Sequence, residues 1–189
     1  LFLHYDREEV SADALGYIVE NRRIRDALLD ALDGWDSARL LDGRTVTGLE
    51  RNPSAARVSL DDGTTLHTTL VVAADGRQSP LRRMSGIGAF ERGYDQTGIV
   101  ATIAHETPHR GIAQERFLPA GPFAILPMTE ARSSIVWTER ADVAQRILAL
   151  RRAEFEIELA ARFTDYLGAL SVEGPVFSYP LTLTLAAQH

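Results

Sequence analysis

The tightest constraint on the fold is a short apolar run that stops at an acid and a glycine. Leu70-Val71-Val72-Ala73-Ala74 carries no polar side chain, and Asp75-Gly76 follows it directly. A strand with one wet face alternates apolar and polar residues. A continuous run instead suits a strand covered on both faces, as in a parallel sheet between helices. Asp-Gly occurs four times, at Asp33-Gly34, Asp42-Gly43, Asp62-Gly63 and Asp75-Gly76. The first three lie in polar surroundings and read as turns or helix ends. The fourth closes an apolar strand. There a glycine lets the backbone approach a ligand, and a carboxylate can accept from a ribose or ribityl hydroxyl. Ser79 and Arg82 come after it, and Arg82 offers a planar fork to phosphate. The plain alternative is a strand-to-helix turn with a capping Asp.

Other elements are legible around this run. Leu3-His4-Tyr5 reads as a short strand. A helix begins near Asn21, with Ile24, Ala27, Leu28, Ala31 and Leu32 at helical spacing and Gly34 ending it. Residues 46–52 and 57–60 alternate as strands, and Asp62-Gly63 turns the second into Thr65-Leu66-His67. Beyond Arg83 the texture changes to longer strands at 98–104, 117–128 and 133–138, parted by loops rich in Gly, Pro and His. Two helices follow at 141–150 and 153–168; Phe155, Leu159, Phe163 and Leu167 fall four apart in the second. Residues 176–185 close the chain as a strand. The fold class is α+β, with a mixed, largely antiparallel sheet flanked by helices.

Composition removes several kinds of chemistry. The 189 residues carry a net charge of −6 and a pI near 5.4, which argues against a nucleic-acid footprint. Cysteine is absent and every basic residue is Arg, so no disulfide, thiolate nucleophile, Schiff-base lysine or phosphate-loop lysine is available. The histidines (His4, His67, His105, His109, His189) show no metal-ligand spacing on a helix, and no metal site is expected. No stretch reaches the roughly 20 apolar residues of a membrane helix. The first residue is Leu rather than Met, so the chain is expected to begin inside a longer protein.

With these residues in view, the segment 70–83 resembles the second fingerprint of group A flavoprotein monooxygenases, a strand ending in Asp-Gly with Ser and Arg downstream. Leu15-Gly16-Tyr17-Ile18-Val19-Glu20-Asn21-Arg22 with Arg25-Asp26-Ala27-Leu28 resembles that family's helix beside the flavin. Gly121-Pro122-Phe123-Ala124-Ile125-Leu126-Pro127-Met128 and Ser133-Ser134-Ile135-Val136-Trp137-Thr138 resemble its substrate-domain sheet. Ser178-Tyr179-Pro180-Leu181 resembles the strand leading out of that domain. The resemblance is to the branch that hydroxylates polyprenylated phenols in ubiquinone biosynthesis, and it runs over residues 5–185.

The resemblance implies an FAD- and NAD(P)H-dependent hydroxylase acting with O2 on a prenylated phenol. Residues 1–10 would give a strand of the substrate domain, 11–84 part of a Rossmann-like FAD domain, and 85–185 the substrate domain. Asp75, Gly76 and Arg82 would touch the nucleotide, and Asn21 and Arg25 the flavin side. Phe117, Phe123, Trp137 and His109 would line the substrate pocket, against the alternative that the rings are plain core; no catalytic residue is named. Two family features are missing: the glycine-rich turn before Leu1, which Gly86-Ile87-Gly88-Ala89 does not replace, and the Gly-Asp pair after the chain's end. The chain is therefore expected to be a middle fragment, inactive and without bound FAD. A cytoplasmic location, contact with the inner membrane surface, other ubiquinone-biosynthesis proteins as partners and a homodimer are further expectations. The rival readings are a non-catalytic prenyl-lipid-binding or assembly module, and a related halogenase or prenyl reductase.

Overall fold

The computed structural model describes residues 3–188. His189 and the first two residues of the expected 1–10 strand lie outside them. The chain packs into two compact units, one of Leu1–Leu29 with Asp95–Leu181, the other of Asp30–Tyr94 with Thr182–His189.

The first unit holds a five-stranded sheet. Its strands are β4 (Ala89–His105, from residue 95 onward), β5 (Gln114–Leu118), β6 (Gly121–Pro127), β7 (Arg132–Arg140) and β8 (Leu170–Ala186, to residue 181). They lie in the order β5-β6-β7-β4-β8, and the ladders β5–β6, β6–β7 and β4–β7 are antiparallel. Two helices, α3 (Ala141–Leu148) and α4 (Arg152–Phe163), bury their apolar stripes in the same core as one face of this sheet. The spacing explains the burial: Phe155, Leu159 and Phe163 sit one turn apart on α4. Across the ladders Trp137 pairs with both Phe123 and Ile99, so all three point to the same side. Each of these three sheet side chains is 0% exposed.

The opposite face of the sheet follows from the period of two. It carries Gly98, Val100 and Thr102 on β4, Ala124 and Leu126 on β6, and Ser134, Val136 and Thr138 on β7. Apart from buried Thr138 and the glycine, these side chains are half-buried, and none is ionisable.

The second unit is a meander of β1 (Val46–Arg51), β2 (Ala56–Leu60) and β3 (Thr65–Thr68), with the short helix α2 (Pro80–Met84) after it. Asp62-Gly63 makes the expected turn between β2 and β3. Asp62 accepts from the Thr64 N–H at 2.9 Å, and Gly63 takes φ +83°, which favours glycine. The first helix, α1 (Asn21–Asp33), begins where the caps and periodicity place it, but none of its residues is buried.

Two expectations fail. Residues 70–74 form no strand, and Leu70 and Val72 are 73% and 77% exposed. A strand needs a neighbour for its backbone N–H and C=O groups, and β3 ends at Thr68. There the Thr68 hydroxyl donates to Leu70 O at 3.0 Å and turns the chain away. Likewise residues 3–6 form no strand. Asp6 accepts from the Glu8 N–H at 3.0 Å and starts a single 3-10 turn over Arg7–Val10.

Candidate functional site

The Asp-Gly segment carries a hydrogen-bonded polar cluster in the second unit. Ser79 caps α2: its hydroxyl accepts from the Arg82 N–H at 2.9 Å, and Pro80 fits the first turn because its missing N–H would find no partner there. Asp75 accepts from the Leu81 N–H at 3.0 Å. The Ser79 hydroxyl, first, and that N–H, second, hold the Asp75 carboxyl below its ordinary value. Asp75 thus works as a cap beside the turn, through a short relay from carboxylate to hydroxyl to backbone amide. Gly76, at φ +85°, has open space where a side chain would begin.

Arginine surrounds the turn. Arg82 donates to Arg77 O at 2.9 Å and lies 4.0 Å from Glu91, while its Nε is buried without a partner. Arg77 donates to the Thr182 hydroxyl, and Arg83 to Gln78 O. A guanidinium nitrogen buried without a partner is costly, and Gly76 leaves open space on the turn before α2. The sequence sets Ser79 in the motif but gives it no role; the Ser-Pro pair at a helix start is the signal for its capping. A cavity of about 210 Å³ lies near the same segment, lined by Leu49, Arg51, Leu70, Val71, Leu81 and Ser85 among others.

Asn21 and Arg25 are exposed and one turn apart on α1, in the other compact unit. They are not brought into the Asp75 cluster by any contact within that unit.

The expected pocket residues separate. Phe123 and Trp137 lie 6.1 Å apart, edge to face, in the core between sheet and helices. Phe163 stands 5.6 Å from Phe123, and Phe155 6.0 Å from Trp137. Both are corrected from pocket to core. Phe117 cannot join them: the hairpin pairs it with Pro122, so it points away from the neighbouring Phe123, and it is 83% exposed. His109 is occupied by main chain on both nitrogens, Nε2 with Met128 O at 2.8 Å and Nδ1 accepting from the Gly111 N–H at 2.9 Å. His105 is likewise engaged by Thr107 O and the Ser133 hydroxyl. The rings meet at 5.6 Å and, through these bonds, order their loop. Among the described residues no cluster of three acidic, His or Cys side chains could hold a metal ion.

No protein-family model matches the chain. Individual relatives do. Ubiquinone hydroxylase UbiL of Rhodospirillum rubrum is 49% identical over 189 residues, all of this chain and 44% of the relative. The mitochondrial ubiquinone biosynthesis monooxygenase COQ6 of Mus musculus is 32% identical over 183 residues, 88% of this chain and 38% of the relative. The chain therefore spans less than half the length of these relatives. Among solved structures, P. aeruginosa PqsL in complex with 2-aminobenzoylacetate superposes with a TM-score of 0.71 at 23% identity, covering 84% of this chain and 46% of that one. PieE, a flavin-dependent monooxygenase seen with FAD and substrate, gives 0.65 at 13% identity over 89% of this chain and 31% of that one. The fold is that of the flavin-dependent monooxygenases.

Proposed function

We propose that this chain, similar to ubiquinone-biosynthesis hydroxylases over 88% to 100% of its length, is the middle of an FAD-dependent monooxygenase that hydroxylates the ring of a polyprenylated phenol with NAD(P)H and O2. The observation that carries the reading is the likeness to UbiL over all 189 residues. The unpaired apolar run at 70–74 agrees with it, because such a run calls for a covered sheet that this chain does not supply.

On this reading residues 11–84 belong to the FAD domain and 85–185 to the substrate domain. Asp75 holds the turn, Gly76 leaves room for close approach, and Arg82 gives its free Nε–H to the nucleotide; Asn21 and Arg25 contribute from α1. FAD, when bound, supplies the oxygen chemistry. The chain's own task is to seat the ring and exclude water. The uncharged middle of the sheet's open face suits that task, since an ionisable side chain beside an apolar substrate would have to be desolvated. Contact with a membrane surface and with other proteins of the pathway belongs to the same proposal. Among the described residues no helix is long and apolar enough to cross a membrane.

The test is an absorbance scan of the full coding sequence's product, with flanking sequence read on both sides. A flavin band that NAD(P)H bleaches and O2 restores, with a prenylated phenol gaining one oxygen, is the expected result. A colourless product that binds prenyl lipid would sink the reading in favour of a non-catalytic module. Turnover of a halide or of a prenyl double bond would favour a related flavoenzyme.

A further inference from the structure

We infer that Phe177 and Tyr179 on β8 grip the apolar tail of the substrate and so determine which tail lengths the enzyme prefers. The inference rests on the proposed seat of the ring on the open sheet face.

Position comes first. Val176 packs against the core on the helix side of the sheet, as do Leu170 and Val172 before it. The period of two then sends Phe177, Tyr179 and Leu181 to the open face. Gly98 confirms the side. A side-chain carbon built on it, next to inward Ile99 and therefore on the open face, would stand 3.6 Å from Leu181 Cδ2. The apolar floor of Val136, Val100 and Gly98 thus runs without a break onto Leu181 and the two rings beyond it. Phe177 and Tyr179 are 51% and 56% exposed, although β8 is an edge strand that water can reach.

Charge then narrows the direction. At the β5 edge the floor's Ala124 is paired with Glu115, an exposed carboxylate that a hydrocarbon tail would desolvate. At the far end of β8 the floor is closed by the pair Arg132–Glu173, 3.9 Å apart. From Gly98 across Leu181 to Tyr179 and Phe177 the floor continues without meeting a charge and ends on two rings of one strand, whereas the other uncharged way, past Pro122, ends on the single ring of Phe117. Two aromatic rings two residues apart on a strand offer a broad, stiff surface to an isoprenoid chain at little entropic cost. The occupant that fits is therefore an uncharged hydrocarbon tail.

The experiment compares one phenol with and without a long isoprenoid tail, on the whole enzyme of which this chain is the middle. Steady-state kinetics, flavin content and thermal midpoint are read for wild type, Phe177→Ser with Tyr179→Ser, Tyr179→Phe, and Ile157→Ser as an exposed control on α4. The expected result is a KM for the tailed phenol raised about tenfold or more in the double variant, because neither ring then shields the tail from water. Its kcat, flavin content and the constants for the tailless phenol stay at wild-type values. Tyr179→Phe keeps the tail preference, because the ring and not the hydroxyl touches the tail, and Ile157→Ser is silent. An unchanged ratio between the two substrates overturns the inference. So does a joint fall in both substrates with flavin content and thermal midpoint, which would show that another part of the polypeptide covers these rings. A wild-type enzyme that holds flavin yet hydroxylates neither phenol overturns the proposed function itself, and the tail site with it.

Discussion

Asp75 shows how one side chain fixes the turn that precedes a helix. Its carboxyl lies below the ordinary 3.8 because the Ser79 hydroxyl and the Leu81 N–H stabilise the charged form. A depressed folded value means that this contribution is fully present above about pH 3.8 and is lost as pH falls through the folded value. The Leu81 amide resonance should therefore titrate with a midpoint below 3.8 and stay level between about pH 5 and 9. Asp75→Asn should abolish that titration; a midpoint at the unshifted value in the parent chain would contradict the capping role. The aromatic residues make a second contrast at this scale. Phe123, fully buried against Trp137 and Phe163, should cost about 3–5 kcal/mol when replaced by Ala. Phe117→Ser, at 83% exposure, should stay within about 0.5 kcal/mol. Urea denaturation of the two variants separates core from surface directly.

At the scale of elements, the segment 70–74 is written as a strand and stands as an exposed loop. Val72 is the residue that reports on the difference. In this chain Val72→Asp should leave the unfolding free energy within about 0.5 kcal/mol, because the side chain already faces water. In the longer protein, where the run is expected to lie between covered faces, the same change should cost several kcal/mol as a buried unpaired charge. Equal, small effects in both would mean that the run never becomes a strand. The same element marks where sequence reading stops. Periodicity places α1, α4 and the meander of β1 to β3 because their signals are local: the stripe of Phe155, Leu159 and Phe163, and the Asp62-Gly63 turn. Pairing is not local. Whether residues 70–74 find a neighbour depends on chain far away in sequence, and composition says only what that neighbour must be like. The site divides in the same way. Asp75, Gly76 and Arg82 are legible because turn, cap and charge lie within eight residues of one another. Which face takes Phe117 or Phe123 turns on the two residues of a hairpin loop, Pro119 and Ala120, and only the ladder register decides it.

For the whole molecule, the two units differ in what holds them. The first has a core in which Ile99, Ile103, Phe123, Ile135, Trp137 and Leu159 are each 0% exposed. Among the described residues, the second buries only Val58, Leu60 and Leu81 of its large apolar side chains, and those at 7–9% exposure, while Leu66, Leu70 and Val72 face water. Backbone bonds shielded by a deep core open only with the unit, whereas a thin layer opens on its own at smaller free energy. Amide hydrogen exchange should therefore protect 98–104 and 133–138 far longer than 46–51, 56–60 and 65–68. Adding the flanking polypeptide should then act unequally. It should raise protection in β1 to β3 and create it at 70–74, since those are the backbone groups and apolar side chains that await a partner. Protection in β4, β6 and β7 should change little, their core being complete already. If the flanking polypeptide protects both units alike, the exposed run is not the seam at which the proposed longer protein joins this chain.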